Sequence, residues 1–96
     1  MEIRLLDVAQ QELDDAVEYY NAEVPGLGDQ FLLEALSTFD RIKEFAKAWH
    51  PYTQNTRRCQ TRRFPYGIVY ELKPTEIRVV AVMHLRRESD YWTYRT

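Results

Sequence analysis

The run Ile77–His84, I-R-V-V-A-V-M-H, most constrains what this chain can fold into. Between Ile77 and His84 only Arg78 interrupts an apolar, β-branched composition. Such a run suits a strand buried on both faces, at the centre of a small sheet. The turn before it, Lys73-Pro74-Thr75-Glu76, and the shortness of the run favour a strand over a buried helix. His84, Arg86 and Arg87 follow at once, so this strand delivers cationic groups to one edge of the sheet. That is the first indication of a site.

The remaining elements are read around that strand. Glu2–Leu6 alternates Ile3 and Leu5 against Arg4, the pattern of a short edge strand. Asp7 with Gln10 makes a capping-box pattern, and Ala9, Leu13, Ala16, Val17, Tyr20 and Val24 then recur at helical spacing, predicting a helix over 8–23. Pro25-Gly26-Leu27-Gly28 ends it. A second helix is expected from an Asp29 N-cap, its apolar stripe running from Phe31 to Trp49, with His50-Pro51 as terminator. So short a link predicts an antiparallel helical hairpin. Residues 51–56 read as a loop and Arg57–Phe64 as a strand. Phe64-Pro65-Tyr66-Gly67 reads as a type I turn and Gly67–Leu72 as another strand. The expected order is β-α-α-β-β-β, an α+β fold with the hairpin packed on one face of a small, mainly antiparallel sheet. The tail Ser89–Thr96 has no clear period.

Length and composition fit one domain over residues 1–96: 45% of the chain is hydrophobic and 14% aromatic, richer than a disordered chain. No apolar run approaches the roughly 20 residues of a membrane span. The start M-E-I-R-L-L-D lacks the basic and apolar regions of a signal peptide. The single Cys59 cannot form an internal disulfide, which fits a reducing cytoplasm. An inert thiol is the simplest reading of Cys59, with a reactive or dimer-forming role as the other.

The net charge of −2 conceals an asymmetry. Residues 1–56 carry four basic against eleven acidic groups, net −7, and residues 57–96 nine against four, net +5. Halves of opposite sign suit an anionic partner for the C-terminal half, or an acidic helical face packed beside a basic sheet. His50 and His84 lie far apart with no Cys pair or carboxylate at ligand spacing, and no Gly-rich phosphate loop occurs, so no metal or other cofactor is expected. His84 reads as a strand-end histidine bonded to a neighbour, with a catalytic role as the sharper alternative. Arg57, Arg58, Arg62, Arg63, Arg86 and Arg87, with Tyr91, Trp92 and Tyr94 close behind, combine the cations and rings that phosphate and base contacts use. Pairing with the acidic helices or with a protein partner is the competing reading for each arginine.

The runs F-P-Y-G-I-V-Y-E (Phe64–Glu71) and V-V-A-V-M-H-L-R-R-E-S-D-Y-W (Val79–Trp92) resemble the RelE/ParE superfamily of bacterial toxins. So do A-x-x-E-L-x-D-A-x-x-Y-Y (Ala9–Tyr20) and L-G-D-Q-F-L-L-E (Leu27–Glu34). The resemblance covers essentially the whole chain. It implies the same β-α-α-β-β-β fold and the toxin half of a type II toxin–antitoxin pair: a cytoplasmic protein that inhibits growth, serves plasmid stabilisation and forms a hetero-oligomer with a cognate antitoxin. RelE-like members cleave messenger RNA on the ribosome, and ParE-like members poison DNA gyrase. For a nuclease the resemblance implies Arg62 or Arg63, Arg86 or Arg87, and Tyr91 as phosphate and proton-transfer groups, with His84 as a further candidate. Two departures point to the ParE-like branch. Gly67 stands where RNA-cleaving members carry an Arg in the Y-R-x-x-Y motif, and Trp49–Gln60 contains no lysine. The expectation is a gyrase inhibitor without hydrolytic activity. The alternatives are a ribosome-dependent endoribonuclease and an inactive member that only binds antitoxin.

Overall fold

A computed structural model describes residues 1–87 and 90–96. The element order is β1 (Glu2–Leu5), α1 (Asp7–Glu23), α2 (Leu27–Glu44), β2 (His50–Pro51), β3 (Arg57–Gln60), β4 (Tyr66–Leu72) and β5 (Glu76–His84), then a short 3-10 turn at Thr93–Arg95. The strands form one five-stranded sheet in the order β1-β5-β4-β3-β2. β1 runs parallel to β5, and every other pairing is antiparallel. This is the expected α+β order with one addition, the edge strand β2. It forms where a loop was expected, because His50 and Pro51 pair with Arg58 and Arg57.

Local chemistry moves several boundaries. The first helix begins at Asp7 itself, after an extended Leu6, with no side-chain cap. Gln10 bonds Asp14 one turn on instead of closing a capping box (3.0 Å). α2 starts at Leu27, after Gly26 in the left-handed conformation at φ 88°, so Asp29 lies inside the first turn. The N-terminal N–H groups of α2 are satisfied from α1: Asn21 Oδ1 accepts from Gly28 N (2.7 Å) and Asp29 N (3.3 Å). The second helix ends at Glu44, short of Trp49. Trp49 folds back so that its indole N–H donates to the Arg41 carbonyl at the helix end (3.3 Å), under the Arg41 guanidinium. β3 ends at Gln60 rather than Phe64, because the Thr61 hydroxyl donates to the Phe64 carbonyl (2.6 Å) and starts the reversal early.

The sheet is covered on both faces. The helices bury Ala9, Leu13, Ala16, Phe31, Ala35, Phe39 and Ile42 against Ile68, Tyr70, Ile77, Val79 and Val82. The opposite face holds Val69, Val80, Ala81 and Met83, and Trp92 of the tail lies over them, 1% exposed. A bulge makes the two sets possible: Val69 pairs with Ala81 and Tyr70 with Val79, leaving Val80 as the extra residue. Side chains before the bulge alternate from Ile77, and those after it from Val82, so the apolar stretch Val79–Met83 serves both faces.

Candidate functional site

β1 ends at Leu5, and Leu6 N donates to the Val79 carbonyl (3.0 Å), so no strand continues along the outer edge of β5 beyond that point. Backbone groups left bare in a buried position are costly. Two side chains take the place of the missing strand. Glu12 of α1 accepts from Val82 N through Oε1 (3.0 Å), and Arg95 of the tail donates through Nη1 to the Val80 carbonyl (3.0 Å). The two bind each other: Arg95 Nη1 donates to Glu12 Oε1 (2.9 Å) and Nη2 to Oε2 (3.3 Å). Helical spacing puts position 12 three residues after Ala9 and four before Ala16, on the buried stripe of α1. That position is the sequence signal for Glu12. Arg95 carried none.

Tyr91 joins the same centre. Its hydroxyl donates to Glu12 Oε2 (2.7 Å), the Arg87 guanidinium lies 3.8 Å over its ring, and Arg87 Nη1 stands 3.9 Å from Glu12 Oε2. Burial, and then the Glu12 carboxylate as hydrogen-bond acceptor and charge, push the phenol above its ordinary value, against Arg87 and Arg95. The hydroxyl is thus a held donor. His84 ends β5 on the helix side, its ring 5.2 Å from that of Tyr66 across the strand pair, and its Nδ1 accepts from Arg86 N (3.1 Å). With Glu12, Asp15, Tyr19, Tyr66 and Arg87 it lines a cavity of about 220 Å³. Burial and the neighbouring Tyr20 push Tyr66 up to about 12. Arg86 is exposed in the turn after β5.

Arg62 and Arg63 belong to a different place. They line a cavity of about 320 Å³ with Leu33, Glu34, Ser37 and Arg41 of α2. Glu34, nine per cent exposed, accepts from Arg63 N (2.9 Å), Phe64 N (3.1 Å) and Arg63 Nε (3.2 Å). Burial acts to raise the Glu34 pKa, but these donors and the Arg63 charge outweigh it, and the net shift is downward. The structure therefore brings His84, Arg87 and Tyr91 together around Glu12 and places Arg62 and Arg63 elsewhere. Cys59 is buried, and burial pushes its thiol up against the opposing charges of Arg41 and Arg62, so it stays neutral. Among the described residues no three His, Cys, Asp or Glu side chains gather in a way that could hold a metal ion. No helix among them is long and apolar enough to cross a membrane.

The architecture is a helical hairpin on a mixed sheet closed by a C-terminal tail. A solved structure described as "Chromosomal ParDE TA system from P. aeruginosa" superposes with a TM-score of 0.73 over 90% of this chain and 97% of that one, at 14% sequence identity. At that identity the likeness shows the fold. The sequence model of the family described as "ParE toxin of type II toxin-antitoxin system, parDE" matches residues 3–89. The chain belongs to this ParE toxin family. No curated protein matches it.

Proposed function

We propose that this chain, as one toxin domain over residues 1–96, inhibits DNA gyrase in the cytoplasm and is neutralised by a cognate antitoxin. The observation that carries the choice of target is the Tyr91 hydroxyl held by Glu12 at 2.7 Å. The ribonuclease reading takes the Tyr91 phenol as the group that exchanges its proton, beside several cations facing one phosphate. Here the phenol is raised and occupied, Arg87 lies over its ring, and Arg62 and Arg63 stand beside Glu34. Gly67 adds no cation to the sheet face. A toxin that acts by binding needs none of these groups to turn over.

The antitoxin reading rests on surfaces left uncovered. β1 is an end strand paired only with β5, so its outer edge can take an added strand. Beside it, Met1, Phe45, Ala46, Ala48, Leu72 and Ile77 line a groove of about 390 Å³ flanked by Lys43 and Lys47, with Glu44 the one acidic residue of its lining. Phe45 is 52% exposed and Leu33 on α2 is 69% exposed. An apolar segment carrying acidic residues complements both features. The deciding experiment expresses the chain without antitoxin and measures plasmid supercoiling and message integrity in the same cells. Lost supercoiling with intact messages is the expected result. Cut messages with normal supercoiling would replace this reading with the ribonuclease.

A further inference from the structure

On the sheet face away from the helices, three residues form a layered column from core to surface. Trp92 lies buried against the sheet, and Tyr52 stacks on it with ring centroids 5.8 Å apart and planes 29° from parallel. Above Tyr52 sits the Arg58 guanidinium, 4.4 Å from the ring centroid. The stem of Arg58 is held as well, because it crosses Gly67. A Cβ built at Gly67 would meet Arg58 Cδ at 2.9 Å and Cγ at 3.1 Å. This arginine is fixed along its whole length by packing.

Among the described residues it is fixed without a counter-charge. Arg4, Arg63, Arg78, Arg87 and Arg95 each stand beside a carboxylate. Arg41 and Arg57 donate to backbone carbonyls. Among the described residues Arg58 has neither kind of partner, although it is half-buried. A guanidinium presents a rigid fork of donors, and holding it in place reduces the entropy lost when it captures an anion.

Arg58 lines a cavity of about 330 Å³ together with Trp49, His50, Pro51, Tyr52 and Gln60. None of the lining residues is a carboxylate. That volume lies at the small end of ligand sites. Its walls are rings, with one amide at the rim. The Trp49 indole N–H is already given to Arg41 O, the Arg41 guanidinium lies over the ring, and the half-buried ring offers the cavity the part that remains. An unpaired planar cation, aromatic walls and an exposed amide together match a phosphate carried on a flat, hydrogen-bonding base.

We propose that this cavity is a binding site for one nucleotide unit, its phosphate on Arg58 and its base against the Trp49 and His50 rings, with Gln60 at the base edge. The unit is either a free nucleotide or part of a single strand. Binding involves no chemical step and does not depend on gyrase being the target.

The test titrates the isolated protein with AMP, adenosine, inorganic phosphate and a short single-stranded DNA, following the Trp49 and His50 resonances by NMR and affinity by calorimetry. AMP should bind more tightly than either adenosine or phosphate alone. Arg58→Ala should weaken it by roughly tenfold or more, the worth of one charge-assisted contact. Arg58→Lys should not restore it, since lysine keeps the charge and loses the plane. Gln60→Ala, at an exposed position, leaves the fold intact and should still weaken AMP. A strand binding more tightly than AMP assigns the site to nucleic acid, and the reverse order assigns it to a free nucleotide. Equal binding of adenosine and AMP, unchanged affinity in both Arg58→Ala and Gln60→Ala, or no shift at Trp49 and His50 with any ligand would overturn the proposal.

Discussion

Arg95 Nη1 donates to Glu12 Oε1 at 2.9 Å across 83 residues of sequence, and this contact ties the end of the chain to the first helix. The pair is largely dry: the Arg95 side chain is 8% exposed and that of Glu12 15%. Glu12 also completes the edge of β5, so its loss would take the carboxylate from a buried cation, a backbone N–H and a phenol, leaving Arg95 only the Val80 carbonyl.

Glu12→Ala should therefore destabilise the fold by about 2–4 kcal/mol, the cost of leaving one partner of a buried pair uncompensated. Urea unfolding followed by circular dichroism measures it. A change below about 0.5 kcal/mol would mean that solvent replaces the carboxylate freely.

Tyr91→Phe should cost only about 1–2 kcal/mol, because Glu12 keeps Val82 N and Arg95 as donors. Growth inhibition should survive it at an expression level matched to the unaltered chain. Complete loss of toxicity with the fold preserved would restore a catalytic phenol.

Arg86→Ala removes an exposed side chain but keeps the backbone N–H that donates to His84 Nδ1. Stability should change by less than about 0.5 kcal/mol. Supercoiling inhibition should fall if the turn after β5 meets the target. An unaltered inhibition curve would take this turn out of the contact surface.

Gly28 of α2 lies directly against the α1 backbone. A Cβ there would stand 2.0 Å from the Val17 carbonyl oxygen, and backbone cannot swing aside as a flexible side chain can. Gly28→Ala should cost at least about 2–3 kcal/mol, or push the hairpin apart. A midpoint shift in thermal unfolding reads the first outcome, and altered near-ultraviolet dichroism the second.

Glu34 should give the fold an acid-sensitive component. Its folded pKa is lowered, so the stability it contributes is fully present above the ordinary glutamate value and is lost as pH falls through the folded value. The stability difference between the unaltered chain and Glu34→Gln should be constant near neutrality and shrink below about pH 4.3. A difference independent of pH down to acid unfolding would show that the Arg63 and Phe64 N–H bonds do not depend on the charge.

The sequence alone determined the order of elements apart from the two-residue edge strand β2. Apolar residues at helical spacing in α1 and α2, and the unbroken run in β5, each report the burial of a local face, and local periodicity records such burial. The capping and turn signals were weaker guides. Asp7 and Asp29 are good caps by residue type, yet Asn21, reaching across from α1, satisfies the start of α2. The family resemblance grouped Arg62 or Arg63, Arg86 or Arg87, and Tyr91, but could not show that Arg87 lies over Tyr91 while Arg62 and Arg63 stand beside Glu34. Only the tertiary structure decided that. The anion at the centre is Glu12, from a helix about seventy residues upstream in the chain. Its partner Arg95 and the covering Trp92 come from a tail with no periodicity to read. Arg58 likewise gained its meaning only when Tyr52, Gly67 and Trp92 were brought around it. These contacts are single, long-range and polar or aromatic, so they leave no repeating trace along the chain. The strand that ends at Leu5 creates the need for them, and folding brings the side chains that meet it.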